Sequence, residues 1–150
     1  MKNILIILLS IFVLSCSSDD DNSNSTNIES TLIAKDNLYG NGAEGITEQN
    51  LIISNQTAWN NLISQMNSVN NVSDSFTVTD INFSEYTIIA VFDEIKGNGG
   101  HSLELSITSN SDHIIVNVTD LVPEGNATTV ITQPFHIVKI SNSDLPIIFE

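Results

Sequence analysis

The stretch Tyr86-Thr87-Ile88-Ile89-Ala90-Val91-Phe92 constrains this chain more than any other. Branched side chains at Thr87, Ile88, Ile89 and Val91 favour extended backbone. From Ile88 to Phe92 both parities are apolar, so neither face of such a strand can meet water. A central strand covered on both faces is therefore predicted. Downstream the pattern settles to period two. Leu103, Leu105 and Ile107 alternate with Ser102, Glu104 and Ser106, which is the signature of a strand with one buried face. Asn110-Ser111-Asp112 supplies a turn, and Ile114 to Val118 returns as the second arm of a hairpin. Thr128 to Ile140 reads as one or two further strands with Pro134 inside. Proline lacks the ladder donor, so that strand is expected at a sheet edge or with a bulge. Ile147 to Phe149 makes the last strand.

The first half of the chain is less regular. Leu32, Ile33 and Ala34 begin a strand, Tyr39-Gly40-Asn41-Gly42 turns, and Asn50 to Ile53 forms another strand. Asn55 then offers a helix N-cap, followed by Trp59, Leu62, Ile63 and Met66 at helical spacing. An amphipathic helix over about 55 to 67 results, with Trp59 as its anchor on a sheet. Short strands separated by turns, with one helix, predict a mainly β (α+β) fold. Its architecture is an antiparallel β-sandwich or open barrel with one packed amphipathic helix.

At 150 residues the chain suffices for one domain with one real core. Acidic side chains number 18 against 4 basic ones, all lysines. A sequence pI near 4.1 excludes a basic surface for phosphates, so nucleic acid is not an expected partner. It also excludes electrostatic docking onto anionic lipid. Without arginine, the best bidentate clamp for phosphate or carboxylate is missing.

The N-terminus carries an address. Lys2 precedes an apolar run from Ile4 to Leu14, broken only by Ser10. At about 1.5 Å per residue this run is too short to span a bilayer as a helix, and it reads as a signal h-region. It ends in Val13-Leu14-Ser15-Cys16, which resembles a bacterial lipobox, with a small residue before the cut and a thiol to take the lipid. Cys16, the single cysteine, is the expected lipidated first residue of the mature protein. Thiol catalysis, thiolate metal sites and disulfides are excluded by the same count. Residues 1–15 are thus a lipoprotein signal peptide, 16–27 an acidic tether, and 28–150 a single β-rich domain. Asp19, Asp20 and Asp21 resemble an acidic surface-export signal.

Few residues suggest chemistry. His101, His113 and His136 share no metal-ligand spacing. His101 and His113 bracket one hairpin, which leaves open a metal-dependent enzyme built on that pair. No G-x-S-x-G is present for a serine nucleophile. Asp93 and Glu94 form a candidate carboxylate pair, although adjacent strand residues point to opposite faces. Gly97-Asn98-Gly99-Gly100 lacks the spacing and following lysine of a phosphate loop. It is either a tight connection between strands or a bare-backbone turn that a partner approaches closely.

Several of these segments together resemble the protease complex subunit PrcB family. They are Ile52-Ile53 before Ala58-Trp59-Asn60-Asn61-Leu62, then Asp80-Ile81-Asn82-Phe83-Ser84, then Tyr86 to Phe92. The resemblance continues through the Gly99-Gly100 turn to Thr132-Gln133-Pro134-Phe135-His136-Ile137-Val138, covering about residues 35 to 150. His101 and Phe135 stand where that family commonly has tyrosines. The resemblance implies a lipoprotein partner of a surface subtilisin-like protease and brings no catalytic residues with it. The expectation is a non-enzymatic accessory module, lipid-anchored to the outer membrane on its periplasmic face or at the cell surface. It would associate with or stabilise another envelope protein and would need no cofactor and no metal. A protease inhibitor is the other alternative. Gly97, Gly99, Gly100, His101, Pro134, Phe135 and His136 form the expected contact surface.

Overall fold

The computed structural model describes residues 25–150. The signal peptide, Cys16 and most of the tether lie outside them. Strand pairing begins at β1 (Thr26–Asn27), two residues before the expected start of the domain. It continues through β2 (Ser30–Leu38), β3 (Gln49–Ile53), helix α1 (Gln56–Met66) and a 3-10 turn over Val72–Ser75. Then come β4 (Tyr86–Phe92), β5 (Ser102–Ser109), β6 (Ile114–Leu121), β7 (Gln133–Ser141) and β8 (Ile147–Phe149). Two four-stranded sheets result, ordered β2-β7-β4-β3 and β1-β5-β6-β8. The fold is mainly β and sandwich-like, with no closed barrel. Pairing is antiparallel except between β6 and β8, which run parallel. No helix among the described residues is long and apolar enough to cross a membrane.

Strand β4 has the predicted character. Ile88, Ala90 and Phe92 face a core shared with α1, while Ile89 and Val91 face a second core against the other sheet. The β2-β7-β4-β3 sheet is therefore the middle of three layers, covered by the helix on one side and by its partner sheet on the other. Asn55 caps the helix as expected, its Oδ1 accepting from the Ala58 N–H at 2.9 Å. Trp59, Leu62 and Met66 are buried and Ile63 partly so. The Trp59 ring stacks on Phe76 at 6.0 Å, and its Nε1–H donates to the Thr79 carbonyl at 2.8 Å. That hydrogen bond satisfies the one polar atom of an otherwise apolar anchor.

One expectation fails. The strand holding Pro134 is central, flanked by β2 and β4, and carries no bulge at the proline. Pro134 is tolerated because it is only the second residue of β7, where the ladder is just starting. The bulge in this region sits instead in β2, between Leu32 and Ala34. Residues 128–131 form no strand, so the segment from Thr128 to Ile140 contributes one strand only.

The two sheets are not evenly spaced. Strand β5 packs closely on β2 and β7. Side chains close that seam: Lys35 pairs with Glu104, and Asn37 Nδ2 donates to the His101 carbonyl at 3.3 Å. On the opposite side, near β3 and β8, the sheets diverge and leave a cleft of about 510 Å³.

Candidate functional site

The end of the domain that carries the glycine turn holds most of the unusual features. After β4 the chain leaves the sheet, and Lys96 makes a single two-way bridge with Thr132 (N–O distances 2.7 and 3.1 Å). Because β4 ends at Phe92, Asp93 and Glu94 escape strand alternation and converge on one cation. Lys96 Nζ lies 2.9 Å from Asp93, 3.2 Å from Glu94 and 3.5 Å from Asp120 on β6. Burial opposes the charge of Lys96. Hydrogen bonds to Asp93 and Glu94, with the charges of Asp93 and Asp120, outweigh it and hold the pKa above the ordinary lysine value. An ammonium so strongly held is no nucleophile. The carboxylate pair read from sequence is thus part of an ion cluster.

Gly97 to Gly100 forms a tight connection against its own chain. Gly99 N–H donates to the Thr128 carbonyl at 2.9 Å. A Cβ on Gly99 would meet the Thr128 side chain and come within 2.8 Å of Val130 Cγ1. Gly100 has φ +90°, and a Cβ there would lie 2.9 Å from Pro123. The bare backbone is approached by the 122–132 loop. His101 is half-buried, its Nε2 3.3 Å from Asn98 Oδ1.

The expected contact surface divides. Gly97 and Gly100 are exposed, whereas Pro134, Phe135 and His136 lie within the core. Phe135 is wholly buried against Phe92 and Phe76, at centroid distances of 6.0 and 6.5 Å. These three residues cannot touch a partner of the folded domain, because β7 is a central strand with both faces covered. His136 points between the sheets, where its Nδ1 lies 2.9 Å from the Leu103 carbonyl. A carbonyl only accepts, so Nδ1 carries the proton. Burial, with the charge of Lys35, pushes the His136 pKa below its usual value, against the opposing effects of the Leu103 bond and Glu104.

His101 and His113 do not meet. Ser102 pairs with Leu121 and Ser109 with Ile114, so the two histidines stand at opposite ends of the β5–β6 hairpin. At about 3.4 Å per residue they are on the order of 25 Å apart. A metal centre built on this pair is ruled out by that geometry. Among the described residues no three histidine or acidic side chains are grouped to hold a metal ion.

Two polar features have no counterpart among the expected site residues. Glu44 is only 3% exposed, inside a turn whose Gly40 N–H donates to its Oε1 at 2.9 Å. Gln133 is fully buried, its Nε2 donating to the carbonyls of Ile46 (3.0 Å) and Asp93 (2.9 Å). Glycines at 40, 42 and 45 around one glutamate are a visible signal for the first; nothing local marks the second. A third such feature is apolar: Ile95, Leu121, Val122, Val130 and Ile131 are all exposed at the glycine-turn end, Val122 by 66%. No protein-family model matches the chain, and neither the curated proteins nor the solved structures contain a match.

Proposed function

We propose that the chain is an exported, non-enzymatic binding module, held to the outer membrane by a lipid on Cys16. It associates with or stabilises another envelope protein, such as a surface protease, in the manner implied by its resemblance to the PrcB family. The observation that carries this reading is the apolar end formed by Ile95, Leu121, Val122, Val130 and Ile131. A domain that builds two well-formed cores, yet leaves Leu121, Val122, Val130 and Ile131 exposed on the segments flanking one loop, with Ile95 beside the Lys96–Thr132 bridge, has the surface expected of a protein contact. The loop carrying Val122, Val130 and Ile131 is fastened from below by the glycine turn, so the end is presented on a fixed support.

The test is a mild-detergent pull-down of the full chain, C-terminally tagged, from its native membranes. One envelope protein is expected in near-equal amount with the wild type and is lost with Val122→Glu/Ile131→Glu. The Cys16→Ser chain should leave the membrane fraction. If nothing specific co-purifies with the wild type, the binding reading is overturned.

A further inference from the structure

The outer edge of β3 is less protected than the other edge of its own sheet. Strand β2, the other edge of the same sheet, has a bulge, and its Leu32 and Ile33 carbonyls accept from Thr77 Oγ1 (2.8 Å) and Thr77 N–H (2.9 Å). Strand β3, Gln49-Asn50-Leu51-Ile52-Ile53, pairs regularly with β4 and carries no proline, lysine or bulge. Among the described residues, nothing hydrogen-bonds to its outward main chain. Ile52 is 49% exposed. Natural sheets usually blunt such an edge, because unpaired N–H and C=O groups template another strand.

The ground on either side of this edge is already shaped. On the helix side a groove of about 370 Å³ runs between β3 and α1, where Leu51, Ile53, Ala58 and Leu62 are flanked by Asn61 and Gln65. On the other side lies the 510 Å³ cleft between the sheets, with an apolar floor including Val91 and Val118. Its exposed carboxylates are Glu48, Asp120 and Glu150. Side chains of a strand added to β3 would alternate between these two hollows.

We infer that β3 accepts an extended segment of a partner protein by strand addition. The segment alternates apolar residues, seated against α1, with lysine or arginine side chains facing the inter-sheet cleft. Charge selects this occupant. Lys35 is paired with Glu104, Lys96 is held by three carboxylates, and Lys139 lies 4.2 Å from the Tyr86 ring centroid. Among the described residues no lysine pairs with Glu48 or Glu150 of the cleft, and a cationic strand supplies what is missing. A second copy of this chain fits worse, since its own β3 carries no lysine or arginine to set against Glu48 and Glu150. This surface borders the apolar end, where Glu48 and Ile95 line one hollow, but the strand edge itself uses none of the five exposed aliphatic residues.

The probe is a short alternating Val-Lys peptide added to the detergent-solubilised full chain. Amide hydrogen exchange across Gln49–Ile53 is the readout. The alternating peptide is expected to slow exchange there, less so at high salt. A Val-Lys peptide of the same composition in two blocks, and an alternating Val-Glu peptide, should not. Glu48→Lys/Glu150→Lys and, separately, Asn61→Trp, which fills the helix-side groove, should each weaken binding about tenfold or more. Equal protection by the block peptide, or protection mapping away from β3, overturns the inference. So does concentration-dependent protection of β3 without any peptide, which would make the occupant a second copy. A partner captured by the wild type and still bound by both variant chains would keep the binding reading and remove β3 from it.

Discussion

His136 on β7 and Leu103 on β5 join the two sheets by one hydrogen bond, Nδ1–H to carbonyl, 2.9 Å long and shut away from water. The bond requires the neutral ring to keep its proton on Nδ1, and burial keeps that ring from charging readily.

A pH dependence follows. The folded-state pKa of His136 lies below its ordinary value of 6.5. Well above pH 6.5 the ring is neutral in both folded and unfolded chains and contributes no slope. Below it the unfolded chain takes up a proton that the folded one resists, so stability falls as pH falls. Urea unfolding from pH 7.5 to 5 should show the loss in the wild type. His136→Leu should lack this component and, with the Leu103 carbonyl left unpaired, be about 1–3 kcal/mol less stable at neutral pH. A His136→Leu chain with the wild-type slope below pH 6.5 would contradict the assignment.

The two lysine ion pairs should behave very differently. Lys96 and Asp93 each keep only 12% of their side-chain surface exposed, whereas Glu104, the partner of Lys35, is 52% exposed. Lys96→Met strands Asp93 beside Glu94 and Asp120 and should cost about 3–5 kcal/mol, the penalty of an uncompensated buried charge. Lys35→Met should cost under about 1 kcal/mol. Adding Asp93→Asn to Lys96→Met should recover part of the loss. Equal effects of the two lysine substitutions in urea would refute this ranking.

What the sequence made legible was whatever depends on neighbours along the chain. The apolar run at Ile88–Phe92, the Asn55 cap and the spacing of Trp59, Leu62 and Met66 are local patterns, and each landed where expected. The placement of Pro134 went astray because proline's missing donor speaks against a central strand only once the ladder is established. At the second residue of β7 it is silent. Phe135 and His136 looked like contact residues because Gln133, Pro134 and His136 interrupt the continuous apolar run that marked β4 as central. The union of Asp93 and Glu94 on Lys96 depends on β4 ending at Phe92, which a run of alternating residues does not announce. The parallel pairing of β8 with β6 is likewise a long-range fact with no local sign.

Trp59 should carry a large share of the helix-side core. It is fully buried, stacked on Phe76 and hydrogen-bonded to the Thr79 carbonyl. Trp59→Ala should cost about 3–5 kcal/mol. Trp59→Phe, which keeps most of the ring but orphans that carbonyl, should cost less. Asn55→Ala removes only the cap and should cost about 1 kcal/mol. Thermal unfolding that placed the cap variant below the alanine variant at Trp59 would show the helix to be held by its end rather than its face.

The glycine turn can be dissected one residue at a time, because its members meet different surroundings. Gly97 is exposed, and a methyl group added there would have nothing within 4 Å. Gly97→Ala should therefore change stability by no more than about 0.5 kcal/mol. Gly99→Ala forces a methyl into Thr128 and Val130, and Gly100→Ala puts one at φ +90° beside Pro123. Each should cost about 1–3 kcal/mol, by overpacking in the first case and by backbone strain with overpacking in the second. Unchanged melting of both would mean that the loop 122–132 yields freely and that the turn is not its support. Gly97 then separates structure from contact, since it alone can take a large side chain into open solvent. Gly97→Leu should melt with the wild type. If the turn itself touches the partner, recovery of that partner in the pull-down should fall with this substitution. If recovery is unchanged, the turn does not touch the partner, and its glycines serve only to hold the loop that carries Val122, Val130 and Ile131.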